Sequence, residues 1–389
     1  MESTPTAPTG ETERPEISGT TRLLSLDVYR GLVMLLLATS GLGLARAAAK
    51  AEGPLAEWVV FHGTHPEWIS QFGVFGLSIW DLIQPAFMFI VGVSMPFSYA
   101  KRARLGQSYG RRMGHAWTRA LLLVLLGVFL QSLGRPETHW IFTNVLSQIG
   151  LGYGFLFFLA GRKFRTQFAV GGTVLLAYYF LLVLLPPGLE TFAAHFANGT
   201  SFPQQFDLWF LNLFPRSEPF AGHPYATLNF IPSLVTMLMG LMSGQLLKEE
   251  TLTESAKIRR LCVAAVACLV VGAVAGLTLC PVIKKIWTPS WTLYSGGYVL
   301  ALLALFYWAI DVKKSRSWVF PFVVVGLNPL AMYLLGMTGR RSVPAAFKRH
   351  LPDAWFEGAH GHVVQACLMA ALFWLVLWWM YRNRVFLRL

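Results

Sequence analysis

The chain has 389 residues, 55% of them hydrophobic and 13% charged, with a mean hydropathy of +0.52. A water-facing domain usually carries about 25% charged residues, so there is too little polar surface here to cover a soluble globule, and the apolar excess is expected to face lipid. The net charge of +13 then reads as the basic side of a membrane protein attracted to anionic headgroups, and no nucleic-acid partner is expected.

Residues 1–21 are polar and rich in Pro, Thr and Glu, which predicts a disordered cytoplasmic tail. They lack the cationic segment and short apolar run of a cleaved signal peptide. From residue 22 to 389 a single transmembrane domain is expected. Crossing a hydrocarbon core takes roughly 20 apolar residues. Such runs lie near 28–48, 78–100, 119–135, 143–161, 167–187, 227–247, 260–281, 292–310, 318–337 and 362–381. They are too long for barrel strands and predict an all-α polytopic membrane protein of about ten transmembrane helices. If the N-terminus is cytoplasmic, 22 of the 32 Lys and Arg fall on the inner side. An even number of spans returns Arg382, Arg384 and Arg388 to the same side, so both termini are expected in the cytoplasm. Eight of the nine histidines then lie outside or at the outer edge, only His115 inside. The outer loops near 49–77 and 188–226 are long, aromatic and rich in Pro and Gly, and loops of that length are often functional.

Ionisable groups inside a membrane span are costly and therefore functional candidates. Asp27 and Arg30, three residues apart at the inner end of the first span, share a helix face. They read either as a local ion pair or as one wall of a polar cavity open to the cytoplasm. Asp81 stands a turn into the second span, followed by Gln84 and Pro85. It is either part of a helix cap or the partner of a histidine. Gln131, Asn144, Gln148, Asn229, Lys284 and Lys285 gather at outer helix ends, with Asn328 deeper. Each alone suits a helix-packing hydrogen bond; together they would line a chamber reaching inward. The four Cys form no CxxC pair, and His360-x-His362 is the nearest approach to a metal pattern, so no metal is expected. P-loop, HExxH and GxSxG signatures are absent.

The segments RLLSLDVYRGLVMLLL (22–37), FGLSIWDLIQPAFMFIVGVSMPFS (75–98), NVLSQIGLGY (144–153), LNFIPSLVTMLMGLMSGQLL (228–247), KKIWTPSWTLYSGG (284–297) and VVGLNPLAMYLL (324–335) resemble, in order, the catalytic domain of heparan-α-glucosaminide N-acetyltransferase and its bacterial relatives. The resemblance implies a membrane acyltransferase that takes acetyl-CoA at the cytoplasmic face and acetylates an amino sugar or glycan at the outer face. It implies a catalytic histidine in the first outer loop, with the WDL aspartate, Asp81, beside it. A neutral histidine suits removal of the amine proton at pH 7, and a carboxylate would fix its tautomer. Counting back from Asp81 without a gap puts Gln71 where the family has its histidine, while His65-Pro66-Glu67-Trp68 carries a His-x-x-Trp several residues earlier. Either the loop holds an insertion and His65 is catalytic, or His62 substitutes, or the histidine is absent. The family's asparagine late in the first helix also gives way to Ser40-Gly41.

On this reading His65 is base or acyl carrier and Asp81 its orienting partner. Asp27, Arg30, Asn144, Gln148 and Asn328 bind the acetyl-CoA co-substrate, and Lys285, Asn229 and Trp287 bind the acceptor. The layout suggests a bacterial cytoplasmic (inner) membrane, with a homodimer left open. A transporter or flippase for a sugar or lipid-linked glycan would use the same chamber, and a catalytically inactive relative would keep the fold without the histidine.

Overall fold

A computed structural model describes residues 23–70, 73 and 76–387; the expected tail at 1–21, and Gln71, lie outside them. Among the described residues the chain is helical throughout: α1 (Leu24–Ala38), α2 (Leu44–Ala48), α3 (Pro54–Gly63), α4 (Ile83–Arg104), α5 (Tyr109–Ser132), α6 (Val145–Leu159), α7 (Phe164–Leu184), α8 (Phe202–Phe210), α9 (Phe230–Lys248), α10 (Glu254–Thr278), α11 (Pro289–Phe306), α12 (Phe320–Leu327), α13 (Pro329–His350) and α14 (His360–Arg382). Seven helical stretches are long and apolar enough to cross a membrane, and up to nine if each of two bent pairs crosses as one span. The expected run at 143–161 corresponds to α6, which at 15 residues is shorter than the seven long spans. The chain is an integral membrane protein.

The bent pairs have local causes. Between α1 and α2, Ser40 and Leu42 adopt left-handed backbone and the axis turns by 58°. Between α12 and α13 the axis turns by 84° at Asn328-Pro329. A break at membrane depth frees polar groups that must be satisfied again. Here the buried Asn328 amide donates to Val385 O at 2.9 Å and accepts from Leu387 N at 3.0 Å, tying the C-terminal segment to the break. The start of α1 is served in the same way: Leu24 and Ser25 N–H donate to the Asp311 carboxylate, which also suits the positive end of the helix dipole.

Lipid is as apolar as leucine, so helices in a membrane associate through close packing rather than the hydrophobic effect. The α4 and α9 axes meet at glycines. A Cβ on Gly92 would sit 1.9 Å from Met237 O, and one on Gly240 would sit 2.0 Å from Phe89 O. In the spans built on α4, α9 and α11, 61% of the apolar window is buried, against 22% for α10 and α14, so the first three form the centre. Val263, Val266, Val270, Val274 and Leu277 of α10 face outward, as a lipid-facing stripe should.

Candidate functional site

Asp81 lies in a single helical turn, Trp80–Leu82, that runs straight into α4. Ser78 organises its approach. The buried Ser78 hydroxyl donates to Thr64 O at 2.9 Å and accepts the Asp81 N–H at 3.1 Å. One side chain thus fixes the segment after α3 against the start of α4 and sets residue 65 beside residue 81. His65 Nδ1 lies 2.6 Å from Asp81 Oδ1. Nδ1 must donate to the carboxylate, so in the neutral ring the lone pair is on Nε2. The imidazole is 45% exposed at its side chain, whereas Asp81 is 8%: a carboxylate in the wall, a ring at the opening.

The third charged group is Lys284. Its Nζ donates to the same Asp81 Oδ1 at 3.0 Å and approaches His65 Nδ1 to 3.5 Å. Burial pushes the Lys284 ammonium below the ordinary lysine range, and the Asp81 carboxylate pulls the other way. Lys284 is held in place by its turn. Asn229 donates to Lys285 O at 2.9 Å, Tyr178 donates to Ile286 O at 2.9 Å, and Thr288 Oγ1 accepts from Ile283 N and Trp291 N. These ties hold Trp287 at φ 49°, a backbone region a bulky side chain rarely occupies. The turn sends Lys284 inward and lays Lys285 over the Trp68 ring at 5.8 Å.

Together these groups line a cleft of about 410 Å³ walled by His65, Trp68, Asp81, Tyr225, Lys285 and Trp291 among others. Both long loops, near 49–77 and 188–226, contribute. Trp68 Nε1 donates to Phe196 O at 2.7 Å, joining one loop to the other, and Tyr225 comes from the second. The aromatic rings of Trp80 and Tyr225 flank His65 at 6.2 and 6.4 Å. Burial raises the Tyr225 phenol above its ordinary range. The indole N–H of Trp291 is buried with no acceptor among the described residues.

The other expected site residues are spread more widely. His62 meets the Trp58 and Phe61 rings edge-on and does not line the cleft. Lys285 lines the cleft; Asn229 supports it from behind, and Trp287 is fully buried under it. Asp27 and Arg30 pair at 3.2 Å, and Arg30 also donates to Gly326 O and to Ser94 Oγ, the latter at 2.7 Å. Ser94 is about 20 Å along the helix from Asp81. Asn144 caps α6 by accepting from Ser147 N, and Gln148 donates to Phe142 O and Thr227 O. Asn328 holds the C-terminal segment, as described above. None of these last three lines the His65 cleft. Among the described residues no three His, Cys, Asp or Glu come together in a way that could hold a metal.

Ser78 and Trp291 lie in segments that carry the family resemblance but were not singled out there, and Tyr225 lies in none of them. Lys284 did carry a signal, a basic pair next to WTPSW, but a pair does not reveal which member faces inward.

Residues 54–275 match the family model described as heparan-alpha-glucosaminide N-acetyltransferase, catalytic. His65 and Asp81 fall inside the match and Lys284 just beyond it. No curated protein matches the chain.

Proposed function

The chain belongs to the heparan-α-glucosaminide N-acetyltransferase catalytic family, and on that premise we propose that it transfers an acetyl group from acetyl-CoA to the amine of an amino sugar or glycan in the His65 cleft. The observation that carries this reading is the 2.6 Å contact of His65 Nδ1 with Asp81 Oδ1 at the wall of that cleft. A translocation site needs polar lining, but it does not need an imidazole whose tautomer is set by a buried carboxylate.

In the proposed reaction the acceptor amine attacks the thioester carbonyl carbon. The C–N bond forms, the C–S bond breaks, and the amine proton passes to His65 Nε2. The resulting imidazolium then protonates the leaving thiolate. Asp81 holds the ring by its Nδ1–H and stabilises the cation while it exists. Lys284, bonded to the same oxygen, keeps that carboxylate turned toward the ring. An acetyl-imidazole intermediate would form at the same Nε2, so both routes need the same resting tautomer. Trp68, Tyr225 and Lys285 form the surface on which the acceptor would lie. The bias of Lys and Arg supports a cytoplasmic basic face and an outer His65 cleft. Asp27 and Arg30 of α1, joined to Ser94 farther along α4, would then face the donor's route from the cytoplasm.

The test is turnover by the purified protein in neutral detergent, with acetyl-CoA as donor and glucosamine as acceptor. His65→Ala should reduce kcat by roughly 10²–10⁴-fold, while His62→Ala should leave it near wild type. Transfer undiminished in His65→Ala would refute the assignment.

A further inference from the structure

A second cleft, of about 370 Å³, lies at the other end of α4. It is roughly 30 Å from Asp81 at 1.5 Å per helical residue. Its walls include Tyr99 and Arg102 of α4, Arg112, His115 and Arg119 of α5, and Tyr153 of α6. The three α5 residues recur at three- and four-residue steps and so share a helix face. The Arg112 guanidinium lies 4.3 Å from the centre of the Tyr99 ring, and that of Arg119 lies 4.8 Å from the centre of the Tyr153 ring. Arg119 also donates to the Tyr153 hydroxyl at 3.2 Å.

These arginines differ from the basic residues around them. Lys101, Arg104 and Arg111 are exposed to solvent, as an ordinary charged face would be, whereas Arg102, Arg112 and Arg119 are half-buried. The Nε groups of Arg112 and Arg119 are buried with no hydrogen-bond partner among the described residues. No Asp or Glu lines the cleft, and none of the three arginines makes an ion pair among the described residues. Drawing three guanidinium groups partly out of water without a counter-charge is unfavourable. The tyrosine rings hold two of the guanidiniums in position without neutralising them. A guanidinium offers planar, forked donors that match phosphate oxygens.

We propose that this cleft binds a phosphate group, with Arg102, Arg112 and Arg119 as its ligands. The phosphate can come from the headgroup of an acidic phospholipid or from the nucleotide end of a coenzyme A thioester. The chemistry at the arginines is the same, and the site does not depend on the transfer reaction.

The test uses the full chain in neutral detergent and two probes: adenosine 3′,5′-bisphosphate read by calorimetry, and phosphatidylglycerol against phosphatidylcholine in nanodiscs read by lipid retention. Binding of at least one probe should weaken with added salt and fall about tenfold or more in the double variant Arg112→Gln/Arg119→Gln. It should stay unchanged in Arg111→Gln. Loss of the bisphosphate alone assigns the site to a nucleotide, and loss of the phospholipid alone to a lipid. Should the double variant not be recovered folded, Arg102→Gln is read in the same way. Failure of the wild type to bind either probe, or equal binding by wild type and variant, overturns the proposal. No turnover enters these measurements, so such a failure leaves the acetyl-transfer reading untouched, and loss of transfer in His65→Ala leaves this cleft untouched.

Discussion

Asp81→Asn tests the three-way contact at its centre. The carboxylate faces Lys284 at 3.0 Å, and the two side chains are 8% and 7% exposed. At an effective dielectric of about 20, their attraction is on the order of 5 kcal/mol, most of it offset by the cost of taking both charges out of water. Removing only the carboxylate strands the buried ammonium, and breaking a buried pair in this way costs about 3–5 kcal/mol. Replacing both members by groups of similar volume, as in Asp81→Asn/Lys284→Met, should be close to neutral. The assay is a melting curve followed by tryptophan fluorescence in neutral detergent, with acetyl transfer measured on the same samples. Asp81→Asn should melt well below wild type and the double variant close to it, while both lose transfer by on the order of 10³–10⁴-fold because the His65 tautomer is no longer held. The sign of the pH effect follows from Lys284. Burial lowers its folded pKa, so the unfolded chain binds the proton more readily and stability rises with pH. Without Asp81 to oppose that shift, the deficit of Asp81→Asn should narrow as pH rises. The reasoning is refuted if Asp81→Asn melts like wild type, or if the double variant melts no higher than the single.

Ser78→Ala removes the hydroxyl that joins Thr64 O to Asp81 N; kcat should drop about tenfold or more with little change in the KM for acetyl-CoA, and Ser78→Thr should restore part of it, whereas unchanged kcat would show that His65 is placed by other contacts. Asp207 is buried, and desolvation pushes its carboxyl up to about 6 while Thr227 N–H pulls it down. A raised carboxyl pKa means stability is lost as pH climbs from about 4 through 6, by up to about 3 kcal/mol. Asp207→Asn should therefore flatten the pH dependence of melting between about pH 4 and 6; equal slopes for variant and wild type would refute it. Gly92→Ala drives a methyl against Met237 O at 1.9 Å and should abolish the folded yield, while Gly172→Ala, with nothing within 4 Å, should be tolerated; equal yields would mean that α4 and α9 can separate at little cost.

The helices could be read in advance because lipid imposes a length and an apolar pattern that a single chain displays along itself. Each expected run contains a helix, but the runs at 28–48 and 318–337, which looked like continuous spans, are bent by 58° and 84°. Asp81 stood out for a related reason: a carboxylate a turn into an apolar segment is costly anywhere, so its position alone marks it. The choice among His65, His62 and a missing histidine at Gln71 was open in the sequence, since the spacing in a loop does not say how the loop folds back. The Ser78 bridge between Thr64 and Asp81, formed only once the loop is closed, puts His65 rather than His62 against the carboxylate. Lys284 and Lys285 are adjacent and chemically identical, and the clamped turn through Trp287 sends one to Asp81 and the other over Trp68. Asn144 and Asn328 looked like chamber lining, yet a polar side chain at a helix end is first claimed by the nearest free backbone group, here the cap of α6 and the C-terminal segment. The sequence by itself determined a membrane-embedded helical protein with a committed aspartate, because those features follow from local chemistry and span length. Only the tertiary structure decided which histidine and which lysine meet that aspartate, because they approach it from separate loops, 16 and 203 residues away along the chain.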